Sequence, residues 1–191
     1  MYEVIRKVIV VIVCKILFRV KYENLEILNK YEKCILCPNH SRIFDPVFLY
    51  PKVNNMYSMA KSELFKHKFF AKLLTYYNVF PVQRDKIDIN VVRKTIKLLN
   101  DNEKIRLLIF PEGKVLKDKT ERGQVKSGAI HIAAKVDIPI IPVYITARPL
   151  YFSKVIVKFG EPILPNKECL KDKDILKSEA KSLINAIYNM E

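Results

Sequence analysis

The chain contains no tryptophan, only four cysteines, and fewer acidic than basic residues. It has no uninterrupted apolar run of the roughly 20 residues that a bilayer-spanning helix needs. A Gly-x-Ser-x-Gly motif is also missing, so a nucleophilic serine of the α/β-hydrolase type has no support in the sequence. RNA-recognition, zinc-finger and helix-turn-helix signatures do not occur either, and no nucleic acid partner is therefore expected.

The four cysteines, Cys14, Cys34, Cys37 and Cys169, are not accompanied by a secretory cleavage pattern. A reducing cytosolic setting without disulfides is the simpler interpretation. Cys34, Cys37 and His40 could be taken as three zinc ligands, but a fourth ligand at the usual spacing is missing. A free cysteine is more often a small buried apolar residue, so we expect no metal site. No bound cofactor is expected either.

The remaining composition predicts one globular domain with a basic surface. The 191 residues are 50% hydrophobic, which is enough to build a core. Against 20 acidic residues there are 34 lysines and arginines, and the formal net charge is +14. This surplus predicts an anionic partner, which by charge alone could be nucleic acid, an acidic protein or an anionic membrane.

The amino terminus carries the apolar run Val8–Val13, which is flanked on both sides by lysine or arginine. It is too short to span a bilayer, but cations beside a short apolar segment suit a helix that lies in the membrane interface. A buried β-strand is the alternative, because valine and isoleucine dominate the run. We expect residues 1–19 to form a membrane-associated segment and residues 20–191 to form the main domain.

A second candidate for a membrane contact lies between Lys61 and Tyr77, where four lysines alternate with phenylalanines and end in a tyrosine pair. Lysines bind anionic lipid headgroups and phenylalanine can enter the headgroup boundary. An ordinary amphipathic helix, with phenylalanine in the core and lysine in water, is an equal alternative for this segment.

Apolar runs that read as strands alternate with helical patterns along the chain. The predicted strands are Cys34–Cys37, Met56–Ala60, Val79–Val82, Leu107–Phe110, Ile140–Ile145 and Val155–Phe159. The predicted helices are Ser62–Tyr77, a helix capped by Asp88, Ser127–Val136 and Ile175–Tyr188. This alternation predicts a single-domain α/β fold, with a mainly parallel or mixed sheet covered by helices.

A histidine and an aspartate follow the first predicted strand in the segment Asn39-His40-Ser41-Arg42-Ile43-Phe44-Asp45. On one continuous helix, residues five apart would point about 140° away from each other. A turn after the strand would instead bring Asp45 back to His40, with Asp45 and Pro46 as N-cap and first residue of a helix. The alternative is that Asp45 only caps a helix and His40 only fills a turn.

Further polar residues follow other predicted strands, at the ends where open α/β sheets place their ligand sites. Arg84 comes after Val79–Val82, and a guanidinium there could clamp a phosphate. Glu112 and Gly113 follow the fourth predicted strand, and the glycine would let a polar substrate approach the backbone. Taken singly, a surface charge and an ordinary turn would explain these residues equally well.

Taken together, four blocks resemble the glycerolipid acyltransferase family, and within it the bacterial 1-acyl-glycerol-3-phosphate acyltransferases. The blocks are Asn39-His40-x4-Asp45, Phe80-Pro81-x2-Arg84, Phe110-Pro111-Glu112-Gly113 and Ile138-Pro139-x2-Pro142. The resemblance implies transfer of a fatty acyl group from acyl-CoA or acyl carrier protein to the sn-2 hydroxyl of lysophosphatidic acid, which gives phosphatidic acid. It further implies an enzyme of phospholipid biosynthesis at the cytoplasmic face of the cell membrane.

The resemblance also implies residue roles. His40 would be the general base and Asp45 the carboxylate that orients it. Asn39 and Ser41 would flank the base, help to position it and contact the substrate. Arg84, Glu112 and Gly113 would bind the glycerol phosphate end of the acceptor, all by position in the matching blocks.

The chain departs from the family after Glu112-Gly113. Lys114, Val115 and Leu116 stand where the family usually has Thr-Arg-Ser. Lys114, or the later Arg122 or Lys126, could supply the missing cation. Acylation of glycerol 3-phosphate or of another lysolipid, and a non-catalytic protein that binds lipid or acyl carrier protein, are the alternatives.

Overall fold

The structure is a computed structural model that describes residues 17–83, 89–116, 118, 125–146 and 152–191. Most of the predicted N-terminal segment 1–19 and the predicted phosphate ligand Arg84 lie outside the described residues. No helix within the described ranges is both long and apolar enough to cross a membrane.

Seven strands form one sheet among the residues described, with the order β1-β7-β6-β2-β5-β3-β4. The strands are β1 (Arg19–Glu23), β2 (Lys33–Pro38), β3 (Met56–Lys61), β4 (Val79–Val82), β5 (Ile105–Leu108), β6 (Ile140–Ile145) and β7 (Lys154–Phe159). Strands β2 to β6 run parallel, whereas β7 runs antiparallel to β6 and carries β1 parallel to itself. The predicted α/β fold with a mixed sheet is confirmed, and β1 is the strand that the sequence pattern did not indicate.

Five α-helices are described: α1 (Ile27–Lys30), α2 (Lys68–Tyr76), α3 (Ile89–Asn100), α4 (Gly128–Val136) and α5 (Lys173–Tyr188). Short 3-10 helices occupy Asp45–Phe48, Ser62–Phe65 and Lys167–Leu170. The predicted single helix Ser62–Tyr77 is wrong in one respect. His67 has extended backbone angles, φ −88° and ψ 119°, and so separates a 3-10 helix from α2.

Alternate side chains of β2 enter two separate cores, one on each face of the sheet. Ile35 and Cys37 pack with α3, α4 and α5, whereas Cys34 and Leu36 pack on the opposite side with Phe48 and residues of β6 and β7. Successive side chains of a strand point to opposite faces, so a strand covered on both sides reads as a continuous apolar run. β2 is therefore the buried centre of the sheet.

The carboxyl ends of β2, β5 and β6 lie at the same edge of the sheet, because these three neighbours are parallel. The chain leaves β2 toward β3 on one side, while β6 pairs with β2 on the other. A change of direction of this kind opens a crevice beyond the strand ends, where α/β proteins bind ligands. The segments after these strands carry the predicted site residues.

Candidate active site

His40 and Asp45 meet at the end of β2. The distance between His40 Nδ1 and Asp45 Oδ2 is 3.2 Å, and the two side chains are 5% and 0% exposed. The chain between them folds back through a turn in which the Asp45 N–H donates to the carbonyl of Arg42 at 3.1 Å. The predicted fold-back is therefore present in the structure.

The position of Asp45 in the following helix differs from the prediction. Phe44 is the N-cap, and Asp45 is the first residue of the 3-10 helix Asp45–Phe48. Its carboxylate bonds backward instead, accepting the backbone N–H groups of Ser41 at 2.6 Å and Arg42 at 2.8 Å. Asp45 thus organises the turn before the helix, because both N–H groups that its carboxylate accepts belong to residues of that turn.

Asp45 also determines which nitrogen of His40 can act as a base. An ionised carboxylate only accepts hydrogen bonds, so we assign the proton of the neutral imidazole to Nδ1. The lone pair is then on Nε2, which can remove a proton from a hydroxyl group. A positive charge that develops on the ring would be stabilised by the buried carboxylate.

The imidazole and backbone of His40 are also held by the segment after β5. The ring of Phe110 stacks on the His40 ring, with a centroid distance of 3.8 Å and an interplanar angle of 23°. The N–H of Leu116 donates to the His40 carbonyl at 2.8 Å. The predicted strand Leu107–Phe110 ends at Leu108 in the structure. Phe110 lies two residues beyond this end, and its ring faces His40.

Asn39 connects β2 to β6 immediately before His40. Its side-chain NH2 donates to the Ile145 carbonyl at 2.9 Å, and its carbonyl oxygen accepts the Ile145 N–H at 2.7 Å. Asn39 is 1% exposed. The contact fixes the end of β2 against the end of β6, while a direct contact of Asn39 with substrate stays a prediction, as it does for Ser41.

Glu112 points into the protein, and only 3% of the residue is exposed. Its Oε2 accepts the backbone N–H of His40 at 2.8 Å, and its Oε1 accepts the hydroxyl of Tyr188 at the end of α5. The structure therefore brings Glu112 to the loop of residues 39–45, which carries His40 and Asp45. Its predicted contact with the glycerol phosphate end of the acceptor stays a prediction.

Gly113 adopts a left-handed conformation with φ +70°. A Cβ atom at this position would lie 2.8 Å from both Cδ and Cε of Lys126. Lys126 is held there by its N–H, which donates to the Pro111 carbonyl at 2.7 Å. The absence of a Cβ at Gly113 thus lets the Lys126 side chain pass over this loop. The residue after Gly113 is a second exposed lysine, Lys114.

Of the predicted cations, Lys114 and Lys126 are therefore adjacent to the Glu112-Gly113 loop, whereas Arg84 and Arg122 lie outside the described residues. Phe110 and Tyr188 were not predicted to contribute to the site. Phe110 is part of the Phe110-Pro111-Glu112-Gly113 block, and this block was a signal from which its role in the site could have been predicted. Tyr188 lies 76 residues from Glu112, and nothing in its local sequence indicates the contact.

The predicted zinc alternative can be compared with the surroundings of the cysteines. Cys34 and Cys37 are buried strand residues, and burial raises the pKa of the Cys34 thiol to about 12 and that of Cys37 further. Thiolates, not thiols, bind zinc. Within the described residues, no group of three or more His, Cys, Asp or Glu side chains is arranged to hold a metal ion.

Comparison with known proteins identifies the family of the chain. The family model described as Acyltransferase matches residues 19–146. A 1-acyl-sn-glycerol-3-phosphate acyltransferase of Bacillus subtilis is 29% identical over 165 residues, which cover 79% of this chain and 80% of that protein. An uncharacterized acyltransferase of Schizosaccharomyces pombe is 25% identical over 188 residues, covering 91% of this chain and 67% of the relative.

The fold also has a counterpart among solved structures. The crystal structure of the 1-acyl-sn-glycerophosphate (LPA) acyltransferase PlsC from Thermotoga maritima superposes with a TM-score of 0.62 at 23% identity. The match covers 87% of this chain and 69% of that one. The family match spans β1 to β6 and all four motif blocks, and it confirms the resemblance inferred from the motifs. The chain belongs to the acyltransferase family.

Proposed function

We propose that the protein transfers a fatty acyl group from acyl-CoA or acyl-acyl carrier protein to the sn-2 hydroxyl of lysophosphatidic acid. The observation that carries the proposal is the buried His40–Asp45 contact of 3.2 Å at the carboxyl edge of a parallel sheet. The names of the Bacillus and Thermotoga proteins support the choice of acceptor. The product would be phosphatidic acid.

In the proposed reaction, Nε2 of His40 removes the proton of the acceptor hydroxyl while that oxygen attacks the thioester carbonyl. The carbon–sulfur bond then breaks, and the departing thiolate takes the proton back from the imidazolium. Asp45 stays ionised throughout and holds the ring through Nδ1. The nucleophile belongs to the substrate, so no covalent acyl-enzyme is formed.

The phosphate of the acceptor requires cations near His40. Lys114 is exposed directly after Gly113, and the stem of Lys126 passes over Gly113. We assign both lysines to the phosphate group, together with Arg84 if its predicted position after β4 is correct. A lysine is a compact point charge that suits a phosphate without bidentate geometry.

The test is an assay of purified protein with a thioester donor and a panel of acceptors: lysophosphatidic acid, other lysolipids and glycerol 3-phosphate. We expect phosphatidic acid from lysophosphatidic acid, and a loss of at least about a thousandfold in kcat for His40→Ala. His67→Ala is the matched histidine control, because His67 is exposed before α2, whereas His131 is half-buried in α4. Equal product from wild type and His40→Ala would overturn the catalytic assignment, and preference for another acceptor would overturn the choice of substrate.

We further propose that the protein works at the cytoplasmic face of the cell membrane. Helix α2 buries none of its residues, and Phe69 and Phe70 on it are 75% and 51% exposed. Lys66, Lys68 and Lys72 are exposed around them. An apolar surface surrounded by cations is complementary to an anionic lipid surface.

The position of α2 in the fold supports this proposal. The chain leaves β3 at the same edge of the sheet as His40, and α2 begins seven residues after β3 ends at Lys61. Ile43, within the loop of residues 39–45, is 71% exposed at that edge. If a membrane faces this edge, a lipid acceptor reaches His40 while part of the lipid stays in the bilayer.

Vesicle flotation tests the membrane proposal. The double variant Phe69→Ser/Phe70→Ser is expected to bind vesicles containing phosphatidylglycerol at least about tenfold more weakly, since two aromatic side chains no longer enter the lipid. Leu164→Ser, at an exposed apolar residue elsewhere, is the matched control. Equal binding of the double variant, or equal binding to purely zwitterionic vesicles, would contradict the proposal.

A further inference from the structure

The buried carboxylate of Glu112 links two distant parts of the chain. Its Oε2 accepts the backbone N–H of His40 at 2.8 Å, and its Oε1 accepts the hydroxyl of Tyr188. With 3% of the residue exposed, Glu112 has little access to water. A buried carboxylate requires donors from the protein, because an unsatisfied charged oxygen is costly.

Tyr188 reaches Glu112 from a position that is itself fixed. It is the last residue of α5, and two residues later the carbonyl of Met190 accepts a hydrogen bond from Lys158 Nζ at 2.8 Å. Met190 also packs against Gly160, where an added Cβ would lie 3.0 Å from its Sδ. The end of α5 is therefore fastened to β7 and to the residue after it.

The direction in which Glu112 is held matters for the proposed base. The N–H that it accepts belongs to His40 itself, so the carboxylate determines the orientation of the peptide group that carries the imidazole. Asp45 holds the same residue through the ring. General-base catalysis depends strongly on such placement, and a displacement of about 1 Å can cost about a hundredfold in rate.

We propose that Tyr188 is a positioning residue for His40 that acts through Glu112. Its hydroxyl keeps the Glu112 carboxylate in the rotamer in which Oε2 meets the His40 N–H. Without the hydroxyl, Oε1 loses a donor in a buried environment, and the carboxylate turns toward other donors or water. This inference rests on the proposed acyl transfer for its kinetic consequence, but its structural consequence can be measured independently.

The kinetic test uses Tyr188→Phe, which removes the hydroxyl and keeps the ring. We expect kcat to fall about tenfold, with the KM values for donor and acceptor unchanged, because His40 is misplaced and no substrate contact is lost. Tyr50→Phe is the matched control, since it removes a hydroxyl that donates to the Tyr77 carbonyl at 2.6 Å. Its kcat should equal that of the wild type.

A double variant separates positioning from general support of the fold. If Tyr188 acts through Glu112, Tyr188→Phe should cause no further loss of kcat in a Glu112→Ala background. An equal fold-loss in both backgrounds would mean that Tyr188 acts by another route. An unchanged kcat of the single variant would also overturn the proposal.

The structural test does not need activity. In an amide NMR spectrum of the full chain, the His40 N–H of Tyr188→Phe is expected to shift upfield and to exchange faster, because its hydrogen bond to Glu112 weakens. An unchanged His40 amide would overturn the inference, even in a folded and active variant. Absence of acyl transfer by the wild type on every acceptor, together with a shifted His40 amide, would overturn the proposed function and retain the role of Tyr188.

Discussion

The loop of residues 39–45, which carries His40 and Asp45, and helix α2 distribute polar and apolar side chains in opposite ways. In the loop, Asn39, His40 and Asp45 are 1%, 5% and 0% exposed. On α2, Phe69 is 75% exposed and no residue is buried. The loop has thus turned its polar groups inward, and the helix has turned aromatic rings outward, which reverses the usual partition between core and surface.

This difference reflects what each region requires. Three polar groups of the loop have specific partners: Oδ2 of Asp45 accepts two backbone N–H groups, the His40 N–H donates to Glu112, and the Asn39 amide pairs with Ile145. These contacts hold the loop in one geometry. The exposed rings of Phe69 and Phe70 on α2 have centroids 5.8 Å apart, and the centroid of the His67 ring lies 6.3 Å from that of Phe70. For the proposed functions, geometry is essential in the first region, whereas the second needs only accessible apolar area.

The largest effect is expected from Asp45→Asn. His40 Nδ1 and two backbone N–H groups all meet one oxygen of Asp45, Oδ2. An uncharged amide oxygen accepts these hydrogen bonds more weakly, and an amide permits the wrong imidazole tautomer. We expect kcat to fall by about a hundredfold to ten-thousandfold and unfolding free energy to fall by about 1–3 kcal/mol. Steady-state kinetics and urea unfolding measure both.

Asp101→Asn is the control for that substitution. Asp101 is exposed at the end of α3 and pairs with Lys97 at 2.9 Å across one helical turn. Surface pairs of this kind contribute little, so activity should not change and stability should change by less than about 0.5 kcal/mol. Wild-type activity in Asp45→Asn would show that the buried loop has no special requirement for the carboxylate.

An intermediate effect is expected from Gly113→Ala. Alanine at φ +70° is strained by about 1–2 kcal/mol, and its Cβ displaces the flexible stem of Lys126. Thermal unfolding should show this loss, and the KM for the acceptor should rise if Lys126 binds phosphate. Gly128→Ala is the matched control, because an added Cβ there meets no atom within 4 Å and alanine favours the first turn of α4. A Gly113→Ala variant as stable as Gly128→Ala would contradict the strained backbone.

A small effect on stability is expected from Phe69→Ser/Phe70→Ser. Because α2 buries no residue, its aromatic side chains contribute little to the folded state in solution. The unfolding free energy should change by no more than about 0.5 kcal/mol per residue, as for other surface substitutions. Chemical denaturation measures this, and a loss of several kcal/mol would show that the rings are covered by another part of the chain.

No reaction is expected from the thiol of Cys34 in the native protein. Burial raises its pKa to about 12, so the thiol stays protonated at pH 8, and reagents cannot reach β2. Cys34 should be labelled by a maleimide only after unfolding in urea, which mass spectrometry of the peptide measures. Labelling at native conditions would show that β2 opens locally.

The fold could be predicted well where a strand is a short, continuous apolar run. Val79–Val82 and Ile140–Ile145 are strands with the predicted bounds. The pattern of apolar residues failed to predict a strand where exposed charged residues interrupt it. β1, with the sequence Arg-Val-Lys-Tyr-Glu, has charged residues at both ends, and its strand conformation depends on pairing with β7.

The candidate site could be predicted only as far as its residues are close in sequence. His40 and Asp45 are five residues apart, and turn chemistry was enough to bring them together. The prediction that Asp45 caps the helix was wrong. Which backbone N–H groups its carboxylate accepts depends on their positions in space, and the sequence does not show those positions. The contact of Tyr188 with Glu112 spans 76 residues and has no local signature.

The sequence by itself determined the alternation of strands and helices, the motifs that carry the chemistry, and the surplus of positive charge. These features depend on residue type and short-range spacing, which are readable along the chain. Only the tertiary structure decided that Glu112 faces the His40 backbone, that Lys126 crosses Gly113, and that α2 leaves its aromatic rings exposed. Those facts follow from how parallel strands bring separate loops to one edge of the sheet, and spacing along the chain does not contain that information.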